Sequence, residues 1–393
     1  MDKSSSNLAK KFYQSNLNFS LSQRECLCYN RGMKIKSVKL KNFRNYASLD
    51  LKFDSSLVVL TGKNAQGKTN IVEAIYFAAL GKSFRISKDK EIIKWNEEYS
   101  KAEIEVENRF RSKKIEFFLS KNQKKAIKID KLSIKRIGEL LGELTIVFFS
   151  PDELRLIKDS PEERRRFMNI NISQTDKKYF YLLNRYEKVL QNRNKLLKVT
   201  KSFESLADNI DIWDRALCDI AEKIVMYRKE FVEGILPFAQ KAHSYISGGK
   251  ENLNIIYKGF SFSGSSYKDA MLKSLQKNLE KDYRLGFTSI GPHRDELDIF
   301  INDVEVKNFG SQGQQRTVAL SLKLAELEII KERTGEYPIL LLDDVFSELD
   351  KDRRERLLKF THRTQTIITC TDFDYQTENC EIFVIKEAKI EKK

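Results

Sequence analysis

Hydrophobic and polar residues alternate in two stretches of the N-terminal third of the chain. A period of two is typical of a β-strand with one buried face and one solvent face. The first stretch flanks a turn at residues 42–46, and the second lies between residues 104 and 129. The alternating apolar positions are Val38, Leu40, Leu49, Leu51, Phe53, Ile104, Val106, Ile127 and Ile129. We therefore expect antiparallel strands in both stretches.

Two other short runs, residues 57–60 and 339–342, are apolar without interruption. Such runs are typical of strands that are covered on both faces. The first run is followed, after a glycine-rich loop, by apolar residues at helical spacing. These residues are Ile71, Ala74, Ile75, Ala78 and Ala79. The pattern predicts an α/β fold whose buried strand is accompanied by the antiparallel strands in a mixed sheet.

The middle of the chain has the spacing of long packed helices. Apolar residues between 213 and 231 recur at intervals of four and three, which is the seam of a helix pair. The seam residues are Trp213, Leu217, Ile220, Ile224, Tyr227 and Phe231, and the partner stripe is Leu183, Tyr186, Leu190 and Leu197. Arg193 interrupts the partner stripe. The helices form either an arm that leaves the α/β lobe and returns, or a helix pair inside one lobe.

Changes in these patterns suggest four segments. Residues 1–32 are polar, lack the apolar core of a signal peptide, and are expected to be an extension that either is disordered or lies upstream of a true start at Met33. Residues 33–150 and 286–393 are the two parts of the α/β lobe, and residues 151–285 are the helical arm inserted between them. The length of 393 residues agrees with more than one lobe.

The loop between the first buried strand and its helix carries the strongest chemical signal. It matches G-x-x-x-x-G-K-[ST], in which successive backbone N–H groups surround a phosphate at a helix N-terminus. Its residues are Gly62, Lys63, Asn64, Ala65, Gln66, Gly67, Lys68 and Thr69. We expect Lys68 to contact the β- and γ-phosphates of ATP, and the Thr69 hydroxyl to bind Mg²⁺. The pattern therefore predicts a nucleotide-binding protein.

The second buried strand ends in two acidic residues, Asp343 and Asp344. A phosphate-binding loop needs a carboxylate to complete its magnesium site, and the end of a neighbouring buried strand can supply it. We expect Asp343 to bind the metal and Asp344 to polarise the attacking water, with Lys68 as the other catalytic group.

The segment that starts at Ser311 resembles the signature motif of ABC-type ATPases, with Gln312 where that motif has its first glycine. In that family, the groups at Ser311, Gly313 and Gln314 would contact the γ-phosphate held by a second subunit. The resemblance thus implies a homodimer with ATP between its subunits. The residues 347–350, ending in Asp350, are similar to the D-loop of the same family.

Composition and charge limit the classes of partner that the protein is expected to bind. The formal net charge of +15 favours a polyanion, and nucleic acid is expected before a membrane because no amphipathic anchor is evident. A solvated lysine-rich surface is the alternative for part of this charge. The five cysteines are scattered and lack C-x-x-C spacing, which indicates reduced thiols in a cytoplasmic protein. No apolar run approaches the ~18 residues of a membrane span.

The combination of motifs from Met33 to about Lys386 is similar to the RecF family of bacterial recombination mediators. The motifs are residues 42–46, 81–85, 149–152, 164–167, 291–295 and the ATPase segments. The resemblance implies an ABC-type ATPase head with an inserted helical arm, weak DNA-stimulated ATP hydrolysis that serves as a switch, and ATP-dependent dimerisation on DNA. It also implies binding to duplexes and to junctions of single and double strands, partnership with RecR, and indirect action on RecA and RecO in gap repair.

Several basic residues could contact DNA. Arg85 fits a position that lies near DNA and nucleotide in related heads, although a plain surface arginine is the alternative. Arg164, Arg165 and Arg166 could bind phosphate or could form a solvated helical face. Two features depart from ABC-type heads. No histidine follows the strand at residues 367–370, and no Q-loop glutamine is evident near Pro151.

Three other functions compete with an ATP-gated DNA clamp. An SMC-like structural DNA tether would need a longer helical insertion. An ABC-headed nuclease would need an appended acidic metal-binding domain. A transporter ATPase is disfavoured by the long insertion and by the missing histidine.

Overall fold

The structure is a computed structural model that describes residues 32–262, 266–375 and 379–393. The predictions for residues 1–31, both the disordered extension and the start at Met33, lie outside the described residues. The division of the remainder at residues 150 and 285 stays a prediction. Gly32 pairs with Tyr337 in an isolated bridge, so the described part begins against the body of the fold.

The predicted α/β character is confirmed. The strands are β1 (Lys34–Phe43), β2 (Tyr46–Lys52), β3 (Leu57–Thr61), β4 (Tyr99–Glu107), β5 (Ser112–Ser120), β6 (Ala126–Ile129), β7 (Leu132–Ser133), β8 (Ile146–Phe149), β9 (Leu253–Lys258), β10 (Glu296–Ile301), β11 (Val304–Glu305), β12 (Ile339–Asp343), β13 (Thr366–Cys370), β14 (Cys380–Lys386) and β15 (Lys389–Lys392). The helices are α1 (Lys68–Leu80), α2 (Arg155–Lys158), α3 (Pro161–Thr175), α4 (Lys177–Val199), α5 (Phe203–Ser247), α6 (Tyr267–Lys277), α7 (Leu279–Leu285), α8 (Val306–Phe309), α9 (Gln312–Thr334) and α10 (Lys351–Thr361).

The two uninterrupted apolar runs become neighbours in one six-stranded sheet. Its strand order is β15-β14-β3-β13-β12-β8. The strands from β14 to β8 are parallel, and only the edge strand β15 is antiparallel. Because the carboxyl ends of parallel strands meet at one edge, this order brings the loop after β3 close to the acids after β12.

The alternating strands form a sheet of their own, ordered β2-β1-β4-β5-β6-β7 and antiparallel throughout. The expectation that they would join the nucleotide-binding strand was wrong, and the mixed character of the parallel sheet comes from β15 instead. The physical reason lies in their pattern. A strand with one polar face cannot sit inside a sheet that is covered on both sides.

Helix α1 lies between the two six-stranded sheets. Its residues, including Ile71, Ile75 and Phe77, are buried together with the inner faces of both sheets in one hydrophobic core. The opposite face of the parallel sheet packs on α3, α5 and α9 in a second core. The phosphate-loop helix is therefore fixed from both sides.

The helical insertion is packed along its length. The first part of the 45-residue helix α5 pairs with α4, and Leu217 and Ile220 of the predicted seam are buried there, whereas Phe231 packs on Phe167 of α3. Further along, α5 lies against α9, since a Cβ at Gly234 would be 3.1 Å from Ile329. A small antiparallel sheet, β11-β10-β9, follows. The choice between an arm and a helix pair inside one lobe stays a prediction.

No helix among the described residues is both long enough and apolar enough to cross a membrane.

Candidate functional site

The loop between β3 and α1 depends on two glycines with positive φ. Gly62 has φ +142° and Gly67 has φ +115°. A Cβ at Gly62 would lie 2.3 Å from the carbonyl oxygen of Ile385, so no larger residue fits without moving β14. The glycines thus allow the loop to turn sharply and to bring its backbone N–H groups to the N-terminus of α1.

Lys68 is the first residue of α1, and its side chain folds back over the loop. Its Nζ donates to the carbonyl oxygens of Gly62 and Lys63, at 2.5 and 3.0 Å. Burial lowers the pKa of Lys68, while the negative charges of Asp344 and Asp343 oppose that shift. A partly desolvated ammonium group in a loop of N–H donors can bind an anion strongly.

Thr69 and Asp343 come together across the sheet edge. The Thr69 hydroxyl donates to Asp343 Oδ1 at 2.9 Å, and the Thr369 hydroxyl on β13 donates to the same oxygen at 2.7 Å. Burial raises the pKa of Asp343, and these two hydrogen bonds lower it. A hydroxyl and a carboxylate are the hard oxygen ligands that Mg²⁺ accepts alongside substrate phosphates.

The pair therefore fits the predicted magnesium site. In the described parts of the chain, no group of three or more His, Cys, Asp or Glu residues could hold a metal ion. Mg²⁺ at such a loop needs few protein ligands, because water and the nucleotide phosphates supply the others.

Asp344 has an unusual backbone conformation. Its φ is +53°, and its N–H donates to both the carbonyl oxygen and the hydroxyl of Thr369, at 3.1 and 3.0 Å. A left-handed residue other than glycine is uncommon, although aspartate adopts this conformation more readily than most residues. The turn leaves the carboxylate only partly buried and near the Lys68 charge, where it could polarise a water molecule.

A turn far away in sequence braces the phosphate loop. Asn45 Nδ2 donates to the carbonyl oxygen of Gln66 at 3.1 Å, and the Tyr46 hydroxyl donates to that of Gly67 at 3.3 Å. Behind it, Arg44 holds the fully buried Glu73 of α1 in a bidentate ion pair, with distances of 2.8 and 2.6 Å. Sequence reasoning missed this brace, although a glutamate on the apolar face of α1 was a signal for a buried partner.

Arg85 lies beside the start of α1. Its guanidinium donates to Asn70 Oδ1 at 3.2 Å, and Asn70 Nδ2 donates to Asn45 Oδ1 at 2.7 Å. Arg85 is exposed, and its charge is close enough to lower the pKa of Asp343. It is therefore near the predicted nucleotide site, and its role in DNA binding stays a prediction.

The signature-like segment begins α9 with a capping box. The Ser311 hydroxyl accepts from the Gln314 N–H at 3.2 Å, and the Gln314 side chain accepts from the Ser311 N–H at 2.9 Å. Gln314 also donates to Glu251 at 2.9 Å. Ser311 is exposed and Gly313 half-buried, so this helix N-terminus points to solvent and could meet another subunit.

Two arginines join the predicted D-loop to α9. Arg353 donates to the Thr317 hydroxyl at 2.9 Å and also pairs with Asp350, the N-cap of α10. Arg316 donates to the carbonyl oxygen of Glu348 at 3.1 Å. Residues 347–350 and the signature-like segment therefore form one connected surface.

The two expectations for the arginine run were both wrong for Arg164. It is 2% exposed and forms a bidentate pair with Glu296, at 2.5 and 2.8 Å, so it is neither a phosphate ligand nor part of a solvated face. Arg165 donates to the carbonyl oxygen of Asp295 at 2.8 Å, and Arg166 lies 3.3 Å from Glu163. The local pattern could not reveal that a distant strand supplies Glu296.

The segment near Pro151, in which no Q-loop glutamine is evident, is connected to α9. Glu153, in the 3₁₀ turn after β8, pairs with the buried Lys323 of α9 at 2.8 Å. Lys323 also pairs with Glu326 at 2.9 Å. After β13, where a histidine is absent, the buried Cys370 is the last strand residue, and burial raises its pKa to about 12.

Comparison with known proteins shows to which proteins this chain is similar. Residues 34–390 match the family described as the RecF/RecN/SMC N terminal domain. A DNA replication and repair protein RecF from Clostridium perfringens is 42% identical over 363 residues, which cover 91% of this chain and all of that protein. The DNA replication and repair protein RecF of Alkaliphilus oremlandii is also 42% identical, over 368 residues.

Solved structures show the same likeness. A recombination mediator protein RecF of the RecFOR pathway, solved with ATPrS, has a TM-score of 0.85 and 38% identity, covering 92% of this chain and 98% of its own. A structure described as RecF with ATP has a TM-score of 0.84 and 37% identity. The Smc head domain of Pyrococcus furiosus, at a TM-score of 0.53 and 18% identity, shares the fold.

Proposed function

Because this chain belongs to the RecF family, we propose that it is an ATP-dependent DNA-binding protein of recombinational gap repair and replication restart. It dimerises on DNA with ATP, and it helps RecR load RecA at single-stranded gaps, with RecO acting in the same pathway. Slow, DNA-stimulated hydrolysis of ATP resets it. The recombination mediator and RecFOR descriptions of its structural relatives support this assignment.

One contact carries the proposal for ATP and Mg²⁺: the 2.9 Å hydrogen bond between Thr69 and Asp343. It joins the end of the phosphate loop to the end of β12, residues that are far apart in sequence. With ATP bound, the loop N–H groups and Lys68 would hold the phosphates, and Thr69 and Asp343 would hold the metal. Asp344 would orient and polarise the attacking water.

The exposed helix start at Ser311 supports a shared site. In the dimer, Ser311, Gly313 and Gln314 would be turned toward the γ-phosphate bound by the second copy. Asp350 and Arg353 would lie at the same interface, because Arg353 is bonded both to Thr317 of α9 and to Asp350. Dimerisation would therefore depend on whether ATP is bound.

Two variants separate these roles. Ser311→Arg should bind ATP as tightly as the wild type yet stay monomeric, because its side chain acts only on the other subunit's nucleotide. Asp344→Asn should hold the ATP dimer, because the attacking water is no longer polarised. Light scattering with ATP measures both, and a normal dimer of Ser311→Arg would refute the shared site.

The DNA proposal is tested by the dependence of binding on salt. Each phosphate contact on duplex DNA gives a log–log slope of about −0.9. A dimer closing around DNA should double such contacts, so the slope should steepen with a non-hydrolysable ATP analogue. Equal slopes with and without the analogue would mean that ATP does not gate the DNA-binding surface.

A further inference from the structure

Trp95 is displayed to solvent on a well-defined turn. Its side chain is 91% exposed, although tryptophan is rarely left so uncovered. The turn is closed by a hydrogen bond from the Glu97 N–H to the carbonyl oxygen of Lys94, at 3.1 Å. Asn96 has φ +66°, which suits asparagine in a tight turn. The indole therefore stands at the tip of a regular turn.

Three further hydrogen bonds anchor this turn to the turn between β1 and β2, at residues 42–46. The Lys94 N–H donates to the carbonyl oxygen of Asn42 at 2.9 Å, and the Asn42 side chain donates to Glu97 at 3.0 Å. Lys94 Nζ donates to the carbonyl oxygen of Asn45 at 2.9 Å. Such anchoring reduces the entropy lost when a ligand binds to the exposed ring.

Among the described residues, the turn and the elements bonded to it carry more lysines than carboxylates without an ion pair, since only Glu91 and Glu97 of this segment also make none. The turn 121–125 is bonded to this region, since Lys125 pairs with Asp89 at 2.7 Å. Within the described parts of the chain, five lysines of this region make no ion pair with a carboxylate. They are Lys41, Lys88, Lys90, Lys94 and Lys124, and together with Trp95 they are called the Trp95 surface. Nearby Glu98 pairs with Lys121 at 3.5 Å, and Glu97 accepts from Asn42.

We propose that the Trp95 surface binds single-stranded DNA by stacking an unpaired base on the indole while the lysines contact the flanking phosphates. An aromatic ring stacks on any base, and lysines attract the backbone without reading sequence. A base inside an intact duplex is already stacked, so the indole would distinguish a gap or a strand end from continuous duplex. This inference rests on the proposed DNA-binding function and names the DNA feature that is recognised.

The Trp95 surface is also connected to the phosphate loop. Lys94 holds Asn45, and Asn45 donates to the carbonyl oxygen of Gln66. A change in the loop on binding ATP can therefore be passed to the turn through two side chains. Base stacking is accordingly expected to depend on whether nucleotide is bound.

The two tryptophans of the chain make the proposal directly measurable. Trp213 lies half-buried on α5, so Trp213→Phe leaves Trp95 as the only indole. This variant, with a non-hydrolysable ATP analogue, is titrated with a gapped duplex and with an intact duplex of equal length. We expect the fluorescence of Trp95 to be quenched by the gapped duplex and to stay nearly constant with the intact one.

Affinity measurements complete the test. Trp95→Ala should bind the gapped duplex roughly tenfold to a hundredfold more weakly, and Trp95→Phe should recover part of the loss. Affinity for the intact duplex should not change. The matched control is Phe110→Ala, since Phe110 is 76% exposed in the turn between β4 and β5, at the far end of the hairpin. This control should bind both DNAs normally.

Two outcomes would overturn the inference. They are equal quenching by both duplexes and an unchanged affinity of Trp95→Ala for the gapped DNA. If the wild type binds both DNAs but Trp95 plays no part, only this inference fails. If it binds neither DNA, the proposed function itself fails.

Discussion

The phosphate loop and the helical insertion both bury cations, but they use them in opposite ways. Arg193 in α4 is fully buried and pairs with Asp214 at 2.5 Å and with Asp282 at 2.8 Å. Lys68 is also buried, yet among the described residues it makes no ion pair and touches only backbone carbonyls.

The difference separates a structural charge from one that can bind a ligand. An arginine whose carboxylates are already in place has little to gain from a further anion, and removing it leaves two buried acids without a partner. A lysine held by carbonyl groups can exchange them for phosphate oxygens. Pairing with carboxylates, rather than burial alone, therefore distinguishes the two regions, although Arg193 Nη2 is buried without a hydrogen-bond partner among the described residues.

The largest effect is expected from Arg193→Ala in the insertion. Leaving Asp214 and Asp282 unpaired should reduce the free energy of unfolding by about 3–5 kcal/mol. Urea denaturation measures this, with Arg215→Ala as control, because the solvent-exposed pair of Arg215 with Asp211 should contribute little to stability. Equal losses in the two variants would remove the contrast between the regions.

Lys68→Ala should have the complementary result. ATP affinity should fall at least about a hundredfold, which is about 2.7 kcal/mol, while the melting temperature stays close to that of the wild type. Calorimetric titration with ATP measures the affinity, and Lys128→Ala on β6 is the charge-matched control. Unchanged ATP binding would show that the loop is not the nucleotide site.

His293 should make the insertion sensitive to acid. Burial lowers the pKa of His293 to about 4, and its ring nitrogens contact the Tyr186 hydroxyl at 2.7 Å and the carbonyl oxygen of Thr288 at 2.9 Å. Because the unfolded chain binds the proton more tightly, stability is present above about pH 6.5 and is lost as the pH falls toward 4.

The expected loss between pH 7 and pH 5 is about 2 kcal/mol relative to His293→Gln. Urea denaturation of both proteins at the two pH values measures it. A wild type and a variant with the same pH dependence would mean that the histidine is not desolvated in the fold.

The smallest effect concerns the brace on the phosphate loop. Asn45→Ala removes the bond to Gln66 and should weaken ATP binding by about 1 kcal/mol, or roughly fivefold, with little change in stability. Asn122→Ala, in an exposed turn, is the control for calorimetry. A loss as large as that of Lys68→Ala would mean that the brace contributes as much to ATP binding as the lysine does.

Much of the site was predictable because its signals are local. The glycines at 62 and 67, the lysine after them and the buried strand before them stand within a dozen positions, and their spacing alone predicts the loop. The seam of α5 and the alternation in β1 and β2 are local patterns as well. Element types and motif positions therefore followed from the sequence.

Tertiary structure decided which of these elements share a sheet and which charges meet. Several contacts join residues that no local pattern relates. They are the ion pairs Arg164–Glu296 and Arg44–Glu73 and the close approach of Gly62 to the backbone at Ile385. Such contacts depend on how the sheets and helices pack on one another. A short stretch of sequence shows the hydrophobic period of a strand, but it does not show which strand lies beside it. For the same reason, Arg193 interrupts a sequence pattern yet completes a buried network once the helices come together.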